Sequence, residues 1–178
     1  MRYVIVSEVC GEAGEFNNNL RVDLFNKFKS RSSKLPAHFT IKAPFEYDGD
    51  IKDLEESILK VTNSSDPAKY TIKGYNYFDN RVIYMDVKMS PEGQLLHDRL
   101  IDELSKIPYI EFNKLDGKEK VFHVTLASKK IRNIFNEIWD YVNTIPCSFE
   151  CELNNVSIYR WEDNTWKLYR NFKISKNK

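Results

Sequence analysis

No stretch of the chain is long and apolar enough to span a membrane. The N-terminal apolar run reaches only from Tyr3 to Val6 before Ser7 and Glu8 interrupt it, too short for a secretory signal as well. Charge of one sign is equally scarce. Lys and Arg total 27 against 26 Asp and Glu, a net charge of +1, so no overall field draws the protein to polyanions or lipid. A short RNA would still need only a local basic cleft. The three cysteines, Cys10, Cys147 and Cys151, form no framework. Cys147-x-x-x-Cys151 has no nearby His or further Cys to complete a zinc site, so buried, reduced thiols in a cytoplasmic protein are expected. No Gly/Ser linker or low-complexity segment divides the chain.

What is present suits one folded body. The 178 residues are 42% hydrophobic, enough for a sizeable core. Basic residues gather at Arg21, Lys27, Lys29, Arg31 and Lys34, and again at Lys129, Lys130 and Arg132; such clusters read first as solvated faces.

Patterning gives an order of elements. Arg2 to Val6 reads as a buried strand. Leu20, Leu24 and Phe28 recur at helical spacing, with Asn18 or Asn19 offering the cap. Pro36 precedes the strand-like His38-Phe39-Thr40-Ile41. Asp50 can cap a helix with Ile51, Leu54, Ile58 and Val61 on one stripe, Asp53 returning the cap interaction. Tyr70 to Phe78 is a strand, and Asp79-Asn80 a turn. Arg81 to Val87 is again a strand. Ser90-Pro91-Glu92 starts a helix lined by Leu96, Leu100 and Leu104. Phe122 to Leu126 is strand-like, and Ser128 can cap a helix carrying Ile131, Ile134, Phe135, Ile138 and Val142. Strands over 148–153 and 156–161 and a last strand ending near Ile174 follow.

Strand, helix, His-x-Thr strand, helix, strand thus occurs twice. The opening strands lie about 79 residues apart and the two histidines about 85. The expectation is a single α+β domain over 1–178 made of two related halves, about 1–80 and 81–178. Antiparallel sheets should line a central cleft, with helices outside.

Residues two apart on a strand share a face. His38 and Thr40 therefore point one way while Phe39 and Ile41 point into the core, and His123 and Thr125 repeat this against Val124 and Leu126. Two imidazoles supply a general acid and a general base near neutral pH. Two hydroxyls can donate to non-bridging phosphate oxygens. Such a set cleaves a phosphodiester by proton transfer alone, with no metal or cofactor called for. His97, beside an apolar stripe and lacking a Thr partner, reads as a helix-surface histidine.

The two motifs, His38-Phe39-Thr40-Ile41 and His123-Val124-Thr125-Leu126, resemble those that define the 2H phosphoesterase superfamily, which includes 2′-5′ RNA ligase-like proteins and RNA 2′,3′-cyclic phosphodiesterases. The stretch from His38 to Phe45 is similar to the first motif region of a bacterial branch of that family. The resemblance implies a bilobal fold whose chain segments cross between lobes. It implies His38 as proton donor, His123 as acceptor, and an RNA end or small cyclic nucleotide as substrate. It leaves room for 2′-5′ ligation, or for a non-catalytic RNA-end binding module. Many cyclic phosphodiesterases of the family carry Arg shortly after the second motif; here Ser128 is followed by Lys129 and Lys130, a different kind of cation. Lys42, Lys129 and Lys130 are the basic residues expected at substrate. Tyr159 and Trp161, then Phe45 and Tyr84, are the aromatic residues able to stack a base. A monomer is expected.

Overall fold

A computed structural model describes residues 1–176. Eight strands and four helices follow one another as β1 (Arg2–Glu8), α1 (Gly11–Phe28), β2 (His38–Glu46), α2 (Lys52–Thr62), β3 (Ala68–Phe78), β4 (Val82–Met89), α3 (Pro91–Leu104), β5 (His123–Ala127), α4 (Phe135–Val142), β6 (Ser148–Leu153), β7 (Asn155–Glu162) and β8 (Thr165–Lys173). A 3-10 turn, Arg132–Ile134, leads into α4. This is the α+β architecture expected, with two antiparallel four-stranded sheets ordered β2-β1-β7-β8 and β5-β4-β3-β6.

The sheets do not follow the boundary near residue 80. β3, from the first repeat, pairs with β4 and β6, while β7 and β8 return to pair with β1. One sheet therefore needs both ends of the chain. A continuous core joins the sheets through Ile5, Phe39 and Ile41 on one side and Met85, Val124 and Leu126 on the other, with α2 and α3 covering it through Leu54, Ile58, Leu100 and Leu104. The edge strands β2 and β5 touch each other.

Local expectations about helix ends fared unevenly. Ser90 Oγ accepts from Gly93 N at 3.0 Å and caps α3, with Pro91 at its first position. α1, however, begins at Gly11, well before Asn18 and Asn19. Its first turns bury Ala13, Gly14 and Asn17, small or polar residues that an apolar stripe does not reveal. A Cβ on Gly14 would come within 2.1 Å of the Val9 carbonyl oxygen, so the close approach of the helix to the segment that links it to β1 requires glycine there. At α2, Asp50 Oδ1 accepts from Lys52 N at 2.9 Å, but Asp53 does not return a cap; it accepts from Leu54 N and from the Tyr109 hydroxyl. Ser128 caps nothing: its backbone N donates to Arg31 O at 2.8 Å, and α4 starts only at Phe135.

His97 is the clearest correction. It is fully buried, not on the helix surface. Its ring packs edge-on against Phe122 with centroids 4.8 Å apart, and neither ring nitrogen has a hydrogen-bond partner. Leu100 and Leu104 are buried on the same helix, so the inward face of α3 is wider than the leucine stripe alone.

Candidate active site

Alternation places the motifs as expected. His38 and Thr40 are half-buried while Phe39 and Ile41 are buried; His123 and Thr125 are half-buried while Val124 and Leu126 are buried. Phe39 meets Phe122, the residue before His123, at 5.4 Å, edge to face. The two motif strands are thus joined through their core sides, and on each strand the histidine and threonine take the side opposite the core residues.

The imidazoles are held alike. The Pro36 carbonyl accepts from His38 Nδ1 at 2.7 Å, and the Val121 carbonyl accepts from His123 Nδ1 at 2.8 Å. Each carbonyl lies two residues before its histidine. A carbonyl oxygen has no proton to give, so Nδ1 carries the hydrogen in both rings. Nε2 is then the atom left to take up or release a proton.

Each motif strand also bulges at the same place. Val6 pairs with Thr40 but Ile5 with Lys42; Tyr84 pairs with Thr125 but Ile83 with Ala127. The extra residue after each threonine ends the cleft-facing alternation and turns the next position into the core.

Carboxylates stand opposite both histidines. Glu8 pairs with His38 and Asp86 with His123 across antiparallel ladders, where directly opposed side chains share a face. Glu8 Oε1 accepts from Tyr159 Oη at 2.7 Å and Ser157 Oγ at 2.9 Å; Asp86 lies 3.2 Å from Lys88 Nζ. The sequence pattern singles out neither carboxylate. The available signal is that each lies toward the end of the opening strand of its repeat, Glu8 as the last residue of β1 and Asp86 within β4.

Two cations also escape the sequence pattern. Arg21, read as part of a solvated face, donates to Leu35 O at 3.0 Å and Ser33 O at 2.8 Å. It braces the loop whose Pro36 carbonyl orients His38. Lys120 is buried, with no ion-pair partner among the described residues, and its Nζ lies 5.6 Å from the Phe122 ring centre. Burial pushes Lys120 down to about 7, against the attraction of Asp116.

The histidines respond to this setting. Burial, then the charges of Arg21, His123 and Lys120, push His38 down to about 4, although its bond to Pro36 opposes the shift. Burial and Lys120 lower His123 as well, opposed by the bond to Val121. Both shifts favour the neutral ring.

A family model described as the 2′-5′ RNA ligase superfamily matches residues 13–165. The chain belongs to this superfamily, a 2H phosphoesterase family. It is 24% identical to a Geobacillus sp. (strain WCH70) protein named "putative phosphoesterase", over 98% of this chain and 96% of that one. It is 26% identical to a protein of the same name in Staphylococcus aureus (strain Newman), over 86% and 90%. In fold it is similar to TT0787 of Thermus thermophilus, with a TM-score of 0.64, 15% identity and complete coverage of both chains. It is also similar to LigT of E. coli, with a TM-score of 0.65, 14% identity and 98% coverage of both. LigT has been crystallised with 3′-AMP and with phosphate.

Within this 2′-5′ RNA ligase-like fold, the other expected substrate contacts scatter. Lys42 is buried by the bulge after Thr40 and lies 2.6 Å from Asp116 in a buried ion pair, so it is removed from the substrate-contacting set. Tyr159 is buried beneath Leu35 with Val4 and Val6, its hydroxyl spent on Glu8. Phe45 packs toward the core beside Tyr3, ring centres 5.8 Å apart. Tyr84 is buried against His123 at 5.2 Å, with Phe78 at 5.0 Å, and so walls the imidazole. Lys129 and Lys130 are exposed beyond β5; the Lys129 backbone bridges to Arg31. Trp161 is half-buried near the tip of the β7–β8 hairpin. Cys10 is exposed rather than buried, Cys147 is buried, Cys151 is half-buried, and all three are free thiols.

Proposed function

We propose that this member of the superfamily hydrolyses a 2′,3′-cyclic phosphodiester at an RNA end or on a nucleotide, by proton transfer between two histidines. The observation that carries this reading is the matched Nδ1–carbonyl bond of His38 and His123 on touching strands, which reserves both Nε2 atoms for substrate. Water attacks phosphorus as His123 Nε2 takes its proton. The bond to one ribose oxygen breaks as His38 Nε2 gives a proton to it. Thr40 and Thr125 donate to the non-bridging oxygens, where negative charge grows.

His38 can act as donor only if substrate raises its proton affinity. The phosphate anion supplies that change, since a negative charge beside an imidazole favours the protonated form. Running the same steps with an RNA 5′-hydroxyl in place of water gives 2′-5′ ligation, the reading that the superfamily's description favours.

The test is turnover of an RNA ending in a 2′,3′-cyclic phosphate. His38→Ala and His123→Ala should each lower kcat by about two to four orders of magnitude. Unchanged turnover in either variant defeats the mechanism. Product analysis with added 5′-hydroxyl RNA separates hydrolysis from ligation.

A further inference from the structure

The geometry points to a second RNA contact at Trp161 and Trp166, where Arg2 and Lys34 stand over the rings, which makes the preferred substrate a single-stranded oligonucleotide end rather than a mononucleotide. This rests on the phosphodiester reading of the histidine cleft for its chemistry, though not for its binding.

Strand register puts the tryptophans on the face that carries His38 and Thr40. Val6 pairs with both Thr40 and Ser157, and Val4 pairs with Tyr159. Trp161 is two residues beyond Tyr159 and pairs with Trp166 on β8. Trp166 packs against Val4, Val6, Leu35 and Tyr159, and Leu35 adjoins the Pro36 that orients His38. The packing is therefore continuous from the segment that orients the imidazole to the indoles. From Glu8, opposite His38, to Tyr3, at the level of Arg160, is five residues of β1, about 17 Å at the usual strand rise. A nucleotide whose phosphate sits between the histidines does not reach that far.

The chemistry of the patch fits bases joined by phosphates. The indoles meet edge to face with centres 5.2 Å apart. Arg2 lies 5.7 Å from the Trp166 ring centre and Lys34 Nζ 5.8 Å from that of Trp161. Both rings are half-buried, and Leu168, opposite Tyr159, is exposed beside them. Of the nearby carboxylates, Glu162 is held by Arg160 and Asp163 by Lys167; Glu46 faces Arg2 across the sheet. Flat apolar faces flanked by cations stack bases of any sequence while neutralising the phosphates between them.

The full chain, its Trp166→Leu variant and its Lys34→Gln variant would be titrated with an RNA hexamer ending in a 3′-phosphate and with a nucleoside 3′-monophosphate, by tryptophan fluorescence and calorimetry. Thermal unfolding of each would be followed in parallel. Wild type should bind the hexamer more tightly than the monophosphate, with salt-dependent affinity. Each variant should lose about tenfold in hexamer affinity, within the range of one lost base stack or phosphate contact. Lys34→Gln keeps both indoles but removes the bond from Lys34 Nζ to Asn164 O in the hairpin turn, 2.6 Å, so its unfolding curve is compared with wild type before its affinity is read. Equal hexamer affinity in wild type and both variants overturns the proposal. So does a loss confined to Trp166→Leu that follows its unfolding. If the hexamer losses appear but no form turns over a cyclic end, the contact stands and the hydrolysis reading falls.

Discussion

Lys42 Nζ lies 2.6 Å from Asp116 Oδ2, and this pair has a counterpart in the backbone bridge between Arg31 and Lys129. The chain leaving the first motif is tied to the loop before the second. The chain leaving the second is tied to the loop before the first. The two edge strands are clasped reciprocally.

Asp116 also accepts from Ala43 N at 3.0 Å and Asn113 N at 2.8 Å. Burial alone would raise its carboxyl; the bonds from Lys42, Asn113 and Ala43 outweigh that and hold it below the usual range. Asp116→Ala should therefore cost about 3–5 kcal/mol by leaving Lys42 charged and unpaired in the interior. Urea unfolding checks this, and adding Lys42→Met to Asp116→Ala should recover the part due to the unpaired charge, but not the part due to the Ala43 and Asn113 N–H groups left without an acceptor. A single-variant cost below about 1 kcal/mol, the size of an exposed pair, would contradict the burial argument.

His97 should make the fold acid-sensitive. Burial, then the charge of Lys120, pushes it from 6.5 to about 3; Asp98, 3.9 Å from Nδ1, is too far for a hydrogen bond. The folded pKa is depressed, so the unfolded chain binds the extra proton. This contribution is complete above about 6.5 and is lost as pH falls toward 3. His97→Leu should flatten the decline by up to about 1.4 kcal/mol per pH unit across that window. Urea titrations at a series of pH values read the slope, and an unchanged slope would mean that His97 charges freely.

Ligand binding should take up protons. Both motif histidines are lowered in the free protein, and a phosphate anion raises them. Calorimetry with a nucleoside 3′-monophosphate at pH 6–7, in buffers of differing ionisation heat, should show net uptake; none would argue against convergence of the rings on one phosphate. Lys120→Met removes a cation acting on both rings, so the acidic limb of kcat/KM should move to higher pH. The same change should erase a rise in stability between about pH 7 and 10.5, because Lys120 titrates near 7 when folded and near 10.5 otherwise.

The motif strands and their facing were legible because alternation states which side chains share a face, and Ser90-Pro91 announced α3 through one local interaction. Lys42 was not. Alternation from His38 through Thr40 sends it to the cleft, and only the bulge opposite Ile5 and Val6 sends it inward. Arg21, Lys120 and Glu8 escaped for a related reason: their roles depend on partners far along the chain. The start of α1 was hidden because its buried face is built from Ala13, Gly14 and Asn17.

The return of β7 and β8 to pair with β1 has a consequence for biosynthesis. While the ribosome makes everything between β2 and β7, β1 presents an unsatisfied edge beside a finished His38 motif. Ser157, Tyr159 and the two tryptophans reach that sheet only after everything through β6 has been made. The nascent chain thus carries an open strand edge, a template for wrong pairing, until β7 emerges, and the sheet that holds His38 is completed by strands made long after it rather than within its own half.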